Sequence, residues 1–548
     1  MNKNNPLLTE QLIVECRRRG SGLKAADSTG TKVSGNDLLL RTFILKRLLE
    51  RHVWNSPLQG SDGNKKPHKS EQNVAILLPP SVPAAIVNFA LAFAGKTSVN
   101  LNYTASESIL NQCLELAEVK HILTSRKVTE KLNLKLNAEY VYLEDFKSKV
   151  SLSDKLIGFL SSRFLPVGML CKQLGIRNRK PSDPLTIVFT SGSTGTPKGV
   201  VLSYANINAN VQAVNEALNL RDDDIIVGIL PFFHSFGYTV TLWAAQALSM
   251  AGVYHYSPLE ARPIAKLVAD YRATILLATP TFLRSFIRRI DPEQFTTLEL
   301  VIVGAEKQPL SLSDAFEKQF GIRPIEGYGL TEMSPLVSVN LPPSRTTATD
   351  ATKGLCEGSV GRPLPGVEAR IVDLETRAAL LPNESGMLEV RGPSLMSGYL
   401  HREDLTAKAI VDGWYITGDI AKIDKNGYIH ITGRQSRFSK IAGEMVPHIQ
   451  IEEAIQGILG ADSEGILAAV VTAIPDEKRG ERLVVLHTPL SLSVSEILKR
   501  LSEAGLPNLY LPGEDSFVLV DAIPVLGTGK LDLKAMQQLA LVRLSQVV

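Results

Sequence analysis

Ten consecutive residues, Thr190-Ser191-Gly192-Ser193-Thr194-Gly195-Thr196-Pro197-Lys198-Gly199, combine three glycines with a series of hydroxyls and one lysine. Glycine lets the backbone turn successive N–H groups toward one point, and such a nest of amides binds anions. The hydroxyls add donors, and Lys198 adds a positive charge suited to a polyphosphate. A Ser/Thr/Gly-rich linker has a similar composition, but strand-like apolar residues flank this run, 185–189 before it and 200–202 after it. An ordinary P-loop fails on spacing. It needs Gly, four residues, then Gly-Lys-Ser/Thr opening a helix, whereas Gly192 is followed at that distance by Pro197-Lys198-Gly199 and then by a strand pattern.

Other short runs carry groups of the same kind. Glu326-Gly327-Tyr328-Gly329-Leu330-Thr331-Glu332 joins a ring, a hydroxyl and a carboxylate in a glycine-rich turn, and a carboxylate beside phosphate oxygens suits a hard cation. Upstream, Val303-Gly304-Ala305-Glu306 ends a strand where the backbone can approach a flat base closely. In Trp414-Tyr415-Ile416-Thr417-Gly418-Asp419 the carboxylate can accept from two neighbouring hydroxyls. The run Pro524-Val525-Leu526-Gly527-Thr528-Gly529-Lys530 ends in a lysine that by itself is a helix cap or a surface charge. His234, in Pro231-Phe232-Phe233-His234-Ser235-Phe236-Gly237, reads by itself equally as a core histidine.

Taken in order, these runs resemble the adenylate-forming superfamily: acyl-CoA synthetases, acyl-carrier-protein ligases, luciferases and peptide-synthetase adenylation domains. The resemblance implies ATP and Mg²⁺, with Thr190, Ser191, Gly192, Ser193, Thr194, Gly195 and Lys198 on the β- and γ-phosphates. It implies adenine against Gly304, Ala305 and Tyr328, the α-phosphate on Thr331, and the metal on Glu332. Asp419 would hold the ribose hydroxyls, and Arg434 would contact ribose and phosphate at a domain junction. Lys530 would bridge the substrate carboxylate and the α-phosphate, neutralising charge as two anions meet.

Pro231–Gly237 resembles the acyl-pocket motif of fatty-acid ligases, which would set His234 beside the carboxylate. The run from Arg437 to Val446, with Gly304-Ala305-Glu306-Lys307 and Val337-Ser338-Val339-Asn340, is similar to the synthetase half of the bacterial bifunctional acyl-[acyl-carrier-protein] synthetase/2-acylglycerophosphoethanolamine acyltransferases. That likeness implies activation of a fatty acid to acyl-AMP and transfer to a phosphopantetheine thiol, with acyl carrier protein as acceptor ahead of CoA. Gly443 would line the thiol channel, and Ser436, two residues after the junction arginine, would be the hinge. No histidine has an aspartate five positions on, so the acyltransferase half's His-x-x-x-x-Asp motif is absent. An ordinary acyl-CoA or aryl-acid ligase and a non-catalytic nucleotide-binding homologue are the rival readings. The intact Lys198, Glu332, Asp419, Arg434 and Lys530 argue against the second.

The elements that must position these groups alternate. Residues 74–78, 121–124, 140–143, 275–278 and 300–303 read as strands, and 84–93, 106–117, 263–271 and 281–289 as helices. The expected fold is α/β, with parallel-type sheets covered by helices. A strand-rich, Gly/Pro-punctuated part is expected at about 358–433, and 56–69 should be a solvent loop. The boundary is expected at 433/434: a large nucleotide- and acyl-binding domain over 1–433 and a small mobile α+β domain over 434–548.

Composition narrows the classes. Hydrophobic residues make up 44% and charged residues 21% of 548, with a net charge of +3, which implies no nucleic-acid partner. The four cysteines are scattered and the nine histidines show no metal-ligand spacing, which fits a reducing, cytoplasmic setting. No run is long and apolar enough to span a bilayer. Residues 147–180 mix basic and apolar side chains, which gives an expectation of peripheral contact with the inner face of a membrane.

Overall fold

The computed structural model describes residues 7–54, 71–191, 197–345, 354–442, 444–459, 468–476, 479–525 and 531–545. Strands that are apolar throughout form the centres of two large sheets. Leu300–Val303 and Ile275–Ala278 are buried at every position and pair in parallel, as strands covered on both faces must. They lie in a nine-stranded sheet with Ile325–Gly329, Ile225–Gly228 and Ala251–Tyr254. A seven-stranded sheet holds Pro184–Ser191, Thr97–Asn100, Asn73–Leu77, His121–Thr124 and Glu139–Tyr142.

Both sheets are mixed, which corrects the expectation of parallel sheets at their edges. Leu336–Val339 pairs antiparallel with Ile325–Gly329, and Pro197–Ser203 antiparallel with Pro184–Ser191. The connections are a few residues long, too short for a parallel crossover.

The helix Val82–Ala94 starts where the Ser81 hydroxyl accepts from the Ala84 amide, and it is buried along almost its whole length. Its residues share one core cluster with Val74 and Ile76 of the seven-stranded sheet and Leu277 and Ile302 of the nine-stranded sheet. Phe89 meets the Trp243 ring edge-on at 5.0 Å. Truncating Phe89 to alanine would cost about 3–5 kcal/mol. The N-terminal strand Leu23–Asp27, which the sequence reading left unassigned, adds a further parallel strand beside Ala251–Tyr254.

Residues 358–433 are strand-rich, as expected. Glu368–Val372, Gly386–Arg391, Trp414–Ile423 and Ile429–Arg434 form an antiparallel sheet. Past them, Phe438–Ile441, Glu444–Pro447, Ala469–Asp476, Gly480–His487 and Phe517–Leu519 form a sheet of their own. Two separate apolar clusters cover it, one on the helices His448–Leu459 and Val494–Glu503, the other on Leu533–Ser545. The expected solvent loop at 56–69 lies outside the described residues.

Candidate active site

The strands flanking the glycine-rich run pair with Thr190 opposite Lys198, so the run joins a hairpin and does not open a helix. Gly192, Ser193, Thr194 and Gly195 lie outside the described residues, as does the Ser191 side chain. The short strand Gly398–Tyr399 backs the hairpin, with Tyr399 opposite Val200, and the Leu400 amide donates to the Gly199 carbonyl at 2.7 Å. This sets the Lys198 ammonium 5.7 Å from the centre of the Tyr399 ring, within cation–π range.

Tyr399 leads to the second run. Its hydroxyl donates to Glu332 Oε1 at 2.8 Å and lies 3.3 Å from the Tyr415 hydroxyl. Burial, and then the charge of Glu332, push both phenols well above the ordinary tyrosine range, so they stay protonated donors. Glu332 stands in the 3₁₀ turn Thr331–Met333 at the end of Ile325–Gly329, and its carbonyl accepts from the Met396 amide at 2.7 Å.

Tyr328, on that same strand, points to a different carboxylate. Its hydroxyl donates to Asp419 Oδ2 at 2.5 Å, while Arg434 Nε donates to Asp419 Oδ1 at 2.9 Å. Asp419 and Arg434 face each other across paired strands, which fixes their meeting. The Asp419 amide donates to Thr417 Oγ1 at 3.0 Å, and that hydroxyl donates to the Leu388 carbonyl at 2.8 Å. The Asp419 charge, against some loss of solvation, raises the Arg434 guanidinium further. Burial first and Asp419 second raise Tyr328 well above its ordinary value.

The acyl-pocket run reaches the same place. Thr331 Oγ1 lies 3.2 Å from Ser235 Oγ, one residue from His234. His234 Nδ1 accepts from the Phe236 amide at 3.3 Å, which puts the hydrogen of the neutral ring on Nε2. The turn needs Gly237, because a Cβ there would stand 2.2 Å from the Pro231 carbonyl oxygen. It continues as the π-helix Gly237–Ala244, a form that recurs at functional sites. A Cβ on Gly304 would lie 3.1 Å from the Gly327 carbonyl and 3.6 Å from the Phe236 ring, so the Gly304 backbone adjoins both runs. Ala305 holds φ +69, a left-handed conformation that costs a residue with a Cβ.

The structure therefore brings together Lys198, Glu332 and Thr331, then Tyr328, Asp419 and Arg434, with His234 and Gly304 alongside. Lys530 and Gly443 lie outside the described residues. Ser436 falls in the short turn Gln435–Arg437. Next to it, Arg437 and Glu452 form a buried ion pair, and His448 Nε2 lies 2.6 Å from Ser439 Oγ. The helix His448–Leu459 also reaches the large unit through an exposed pair, Lys307 to Glu453 at 2.5 Å.

Sequence reasoning left Tyr399, Tyr415, Ser235 and Thr417 without roles. The last three lie inside the quoted runs; Tyr399 lies in a strand of two residues and carries no signal of its own. A grouping that spacing hid is Cys356, Asp424 and His430, whose ligand atoms lie within 4.8 Å of one another. Asp424 there serves the turn, accepting from the Asn426 and Tyr428 amides.

With this geometry the sequence matches the model of one family, described as AMP-binding enzyme, over residues 65–400. The chain belongs to the AMP-binding enzymes. It is 26% identical over 471 residues to a long-chain-fatty-acid–CoA ligase of Bacillus subtilis, covering 80% of this chain and 81% of that one. It is 28% identical over 454 residues to a protein of the same name from Yersinia pestis, 78% of each. ATP-bound MatB from Rhodopseudomonas palustris superposes with a TM-score of 0.77 at 23% identity, over 97% of this chain and 98% of that chain. o-Succinylbenzoate CoA synthetase from Bacillus subtilis, in complex with its acyl-adenylate, gives 0.75 at 20%, over 96% and 97%. These likenesses show the adenylate-forming fold. No helix among the described residues is long and apolar enough to cross a membrane.

Proposed function

We propose that this AMP-binding enzyme activates a fatty acid with ATP and transfers the acyl group to CoA. The fatty-acid carboxylate attacks the α-phosphorus, pyrophosphate leaves, and the thiolate of CoA then attacks the acyl carbon and releases AMP. The observation that carries the reading is the array from Lys198 through Tyr399, Glu332 and Thr331 to Ser235, the residue beside His234. It joins the groups expected at the phosphates to those expected at the carboxylate. The names of the relatives favour CoA as the acceptor over the acyl carrier protein expected from sequence, and they favour long chains.

Within this reading Asp419 holds the ribose hydroxyls, as a carboxylate whose two oxygens are oriented by Tyr328 and Arg434. Mg²⁺ fits Glu332: the donor set is hard oxygen, and the carboxylate's partners are neutral phenols. When bound, the ion would neutralise phosphate charge there. Residues 434–548 act as a lid pivoting near Ser436, held to the rest by exposed pairs such as Lys307–Glu453, which contribute little. Lys530 and Gly443 would serve separate half-reactions. Contact with a membrane is also part of the reading.

Radiolabelled ATP–pyrophosphate exchange over a panel of fatty acids, followed by thioester assays with CoA and with acyl carrier protein, tests this. Exchange should rise with chain length, each buried methylene contributing about 0.8 kcal/mol until the tunnel fills. A preference for acetate or benzoate sinks the fatty-acid assignment, and thioester formed only on the carrier protein moves the acceptor. Lys530→Ala should cut exchange by roughly 10²–10³-fold yet spare thioester formation from supplied acyl-AMP, and Gly443→Leu should do the reverse.

A further inference from the structure

The helix Leu152–Arg163 has its faces the wrong way round for a soluble protein. Asp154, Gly158 and Ser162, four residues apart and so on one face, are the buried ones. Asp154 accepts from Arg51 Nη2 at 2.7 Å, Arg47 Nε at 3.3 Å and Ser151 Oγ at 2.7 Å. A Cβ at Gly158 would lie 3.0 Å from Leu40 and 3.1 Å from Ile44, so the helix beds closely on the helix Gly35–Leu49. Arg17 closes its last turn by donating to the Ser161 and Ser162 carbonyls at 2.8 and 2.9 Å. The inner face is thus polar, satisfied and rigidly held.

The outer face is apolar. Leu152, Leu156, Phe159 and Leu160 are 84%, 60%, 37% and 47% exposed, and the chain adds Phe164 at 68% and Met169, on the helix Val167–Gln173, at 61%. A single exposed leucine is ordinary, but a cluster of this density marks an interaction site. The rim is positive. Residues 147–180 hold eight lysines and arginines against one acidic residue, the buried Asp154. Lys155, Arg163, Lys172 and Arg177 are exposed, and the Arg163 guanidinium lies 4.8 Å from the Phe159 ring, beside the apolar stripe. Apolar side chains ringed by cations, with no exposed acid among them, match a bilayer interface with anionic headgroups above its acyl region.

We propose that the helices Leu152–Arg163 and Val167–Gln173 form a face that docks reversibly on anionic lipid bilayers. The proposal stands on the surface itself and does not depend on the reaction proposed above.

Flotation of the full chain with phosphatidylglycerol/phosphatidylcholine vesicles, and with phosphatidylcholine alone, tests it. Binding should favour the anionic vesicles and weaken as salt rises. Leu156→Ser with Phe164→Ser should lower partitioning by about tenfold or more, and Lys155→Glu with Lys172→Glu should do the same while flattening the salt dependence. These side chains are exposed, so thermal melting should stay unchanged, as should ATP–pyrophosphate exchange with dispersed fatty acid. Exchange can fail while flotation succeeds, which separates the two proposals. Absence of binding to anionic vesicles, or binding by both variants equal to that of the parent, overturns the proposal. Self-association in sedimentation velocity that the Leu156→Ser/Phe164→Ser variant abolishes, without vesicle binding, gives the face to a second copy and overturns it too.

Discussion

Two carboxylates stand within the candidate site, and they are held in opposite ways. Asp419 is buried, takes a guanidinium on one oxygen and a phenol on the other, and has its backbone amide fixed by Thr417. Glu332 takes a hydrogen bond from Tyr399, with Tyr415 behind it, and forms no ion pair among the described residues. A carboxylate already paired with a cation serves best as a fixed hydrogen-bond acceptor. One supported only by neutral donors keeps its charge for a cation that arrives with a substrate. On the proposed function, the site would separate a group that orients the nucleotide from a group that recruits its metal, although Tyr328 and Glu332 lie only four positions apart.

The comparison breaks most visibly at Glu332. Glu332→Gln keeps the shape and an acceptor for Tyr399, and removes only the charge. ATP–pyrophosphate exchange should fall by about 10²–10³-fold, the scale of losing one preorganised charge at the reacting phosphates. Thermal melting should hardly move. Near-normal exchange at saturating Mg²⁺ would remove the metal role. Asp419→Asn should act differently. It weakens charge-assisted bonds of about 1.5–3 kcal/mol, so KM for ATP should rise roughly 10- to 100-fold with a smaller change in kcat. The dependence on Mg²⁺ concentration should stay as in the parent. If the two variants share one kinetic signature, the division of labour is wrong.

How much of this could be read from sequence follows from where the partners sit. The strands 275–278 and 300–303 were legible to the residue because both faces are covered and the run is apolar throughout. Leu23–Asp27 was not, because Lys24 and Asp27 interrupt its apolar pattern. In the fold both are buried and satisfied by distant partners. The Lys24 ammonium donates to the carbonyls of Ala245, Leu248 and Met250, and Asp27 accepts from the Val82 amide at the start of a helix. The helix 152–163 was legible only as a mix of basic and apolar side chains, and it takes the fold to show that Asp154 and Gly158 point inward and the leucines outward. At the site, the runs around 190, 328 and 419 were legible because each packs several groups into a few consecutive residues. Tyr399 was not, since its role comes from a two-residue strand that backs the hairpin and from a carboxylate 67 positions earlier.

The smallest effect sharpens the contrast most. Tyr399→Phe removes one neutral donor from Glu332 and leaves the ring beneath Lys198 in place. A neutral hydrogen bond contributes about 1 kcal/mol net, so exchange should change by about fivefold at limiting Mg²⁺ and by less at saturation. The direction is informative. With its phenol donor gone, Glu332 has one competitor fewer for its charge, so apparent Mg²⁺ affinity should rise, or hold, while the geometry loosens and kcat falls. The pH dependence gives a second check. Burial and the Glu332 charge both favour the protonated phenol and raise Tyr399 above its ordinary value of 10.0. The donor therefore persists on the acidic side of that value, and the ratio of parent to variant rates should stay flat from about pH 7 to about pH 10. A ratio that collapses toward unity below about pH 9 would mean that Tyr399 ionises early. The carboxylate at 332 would then face a second negative charge, and it could not be the group that keeps its own charge for the metal.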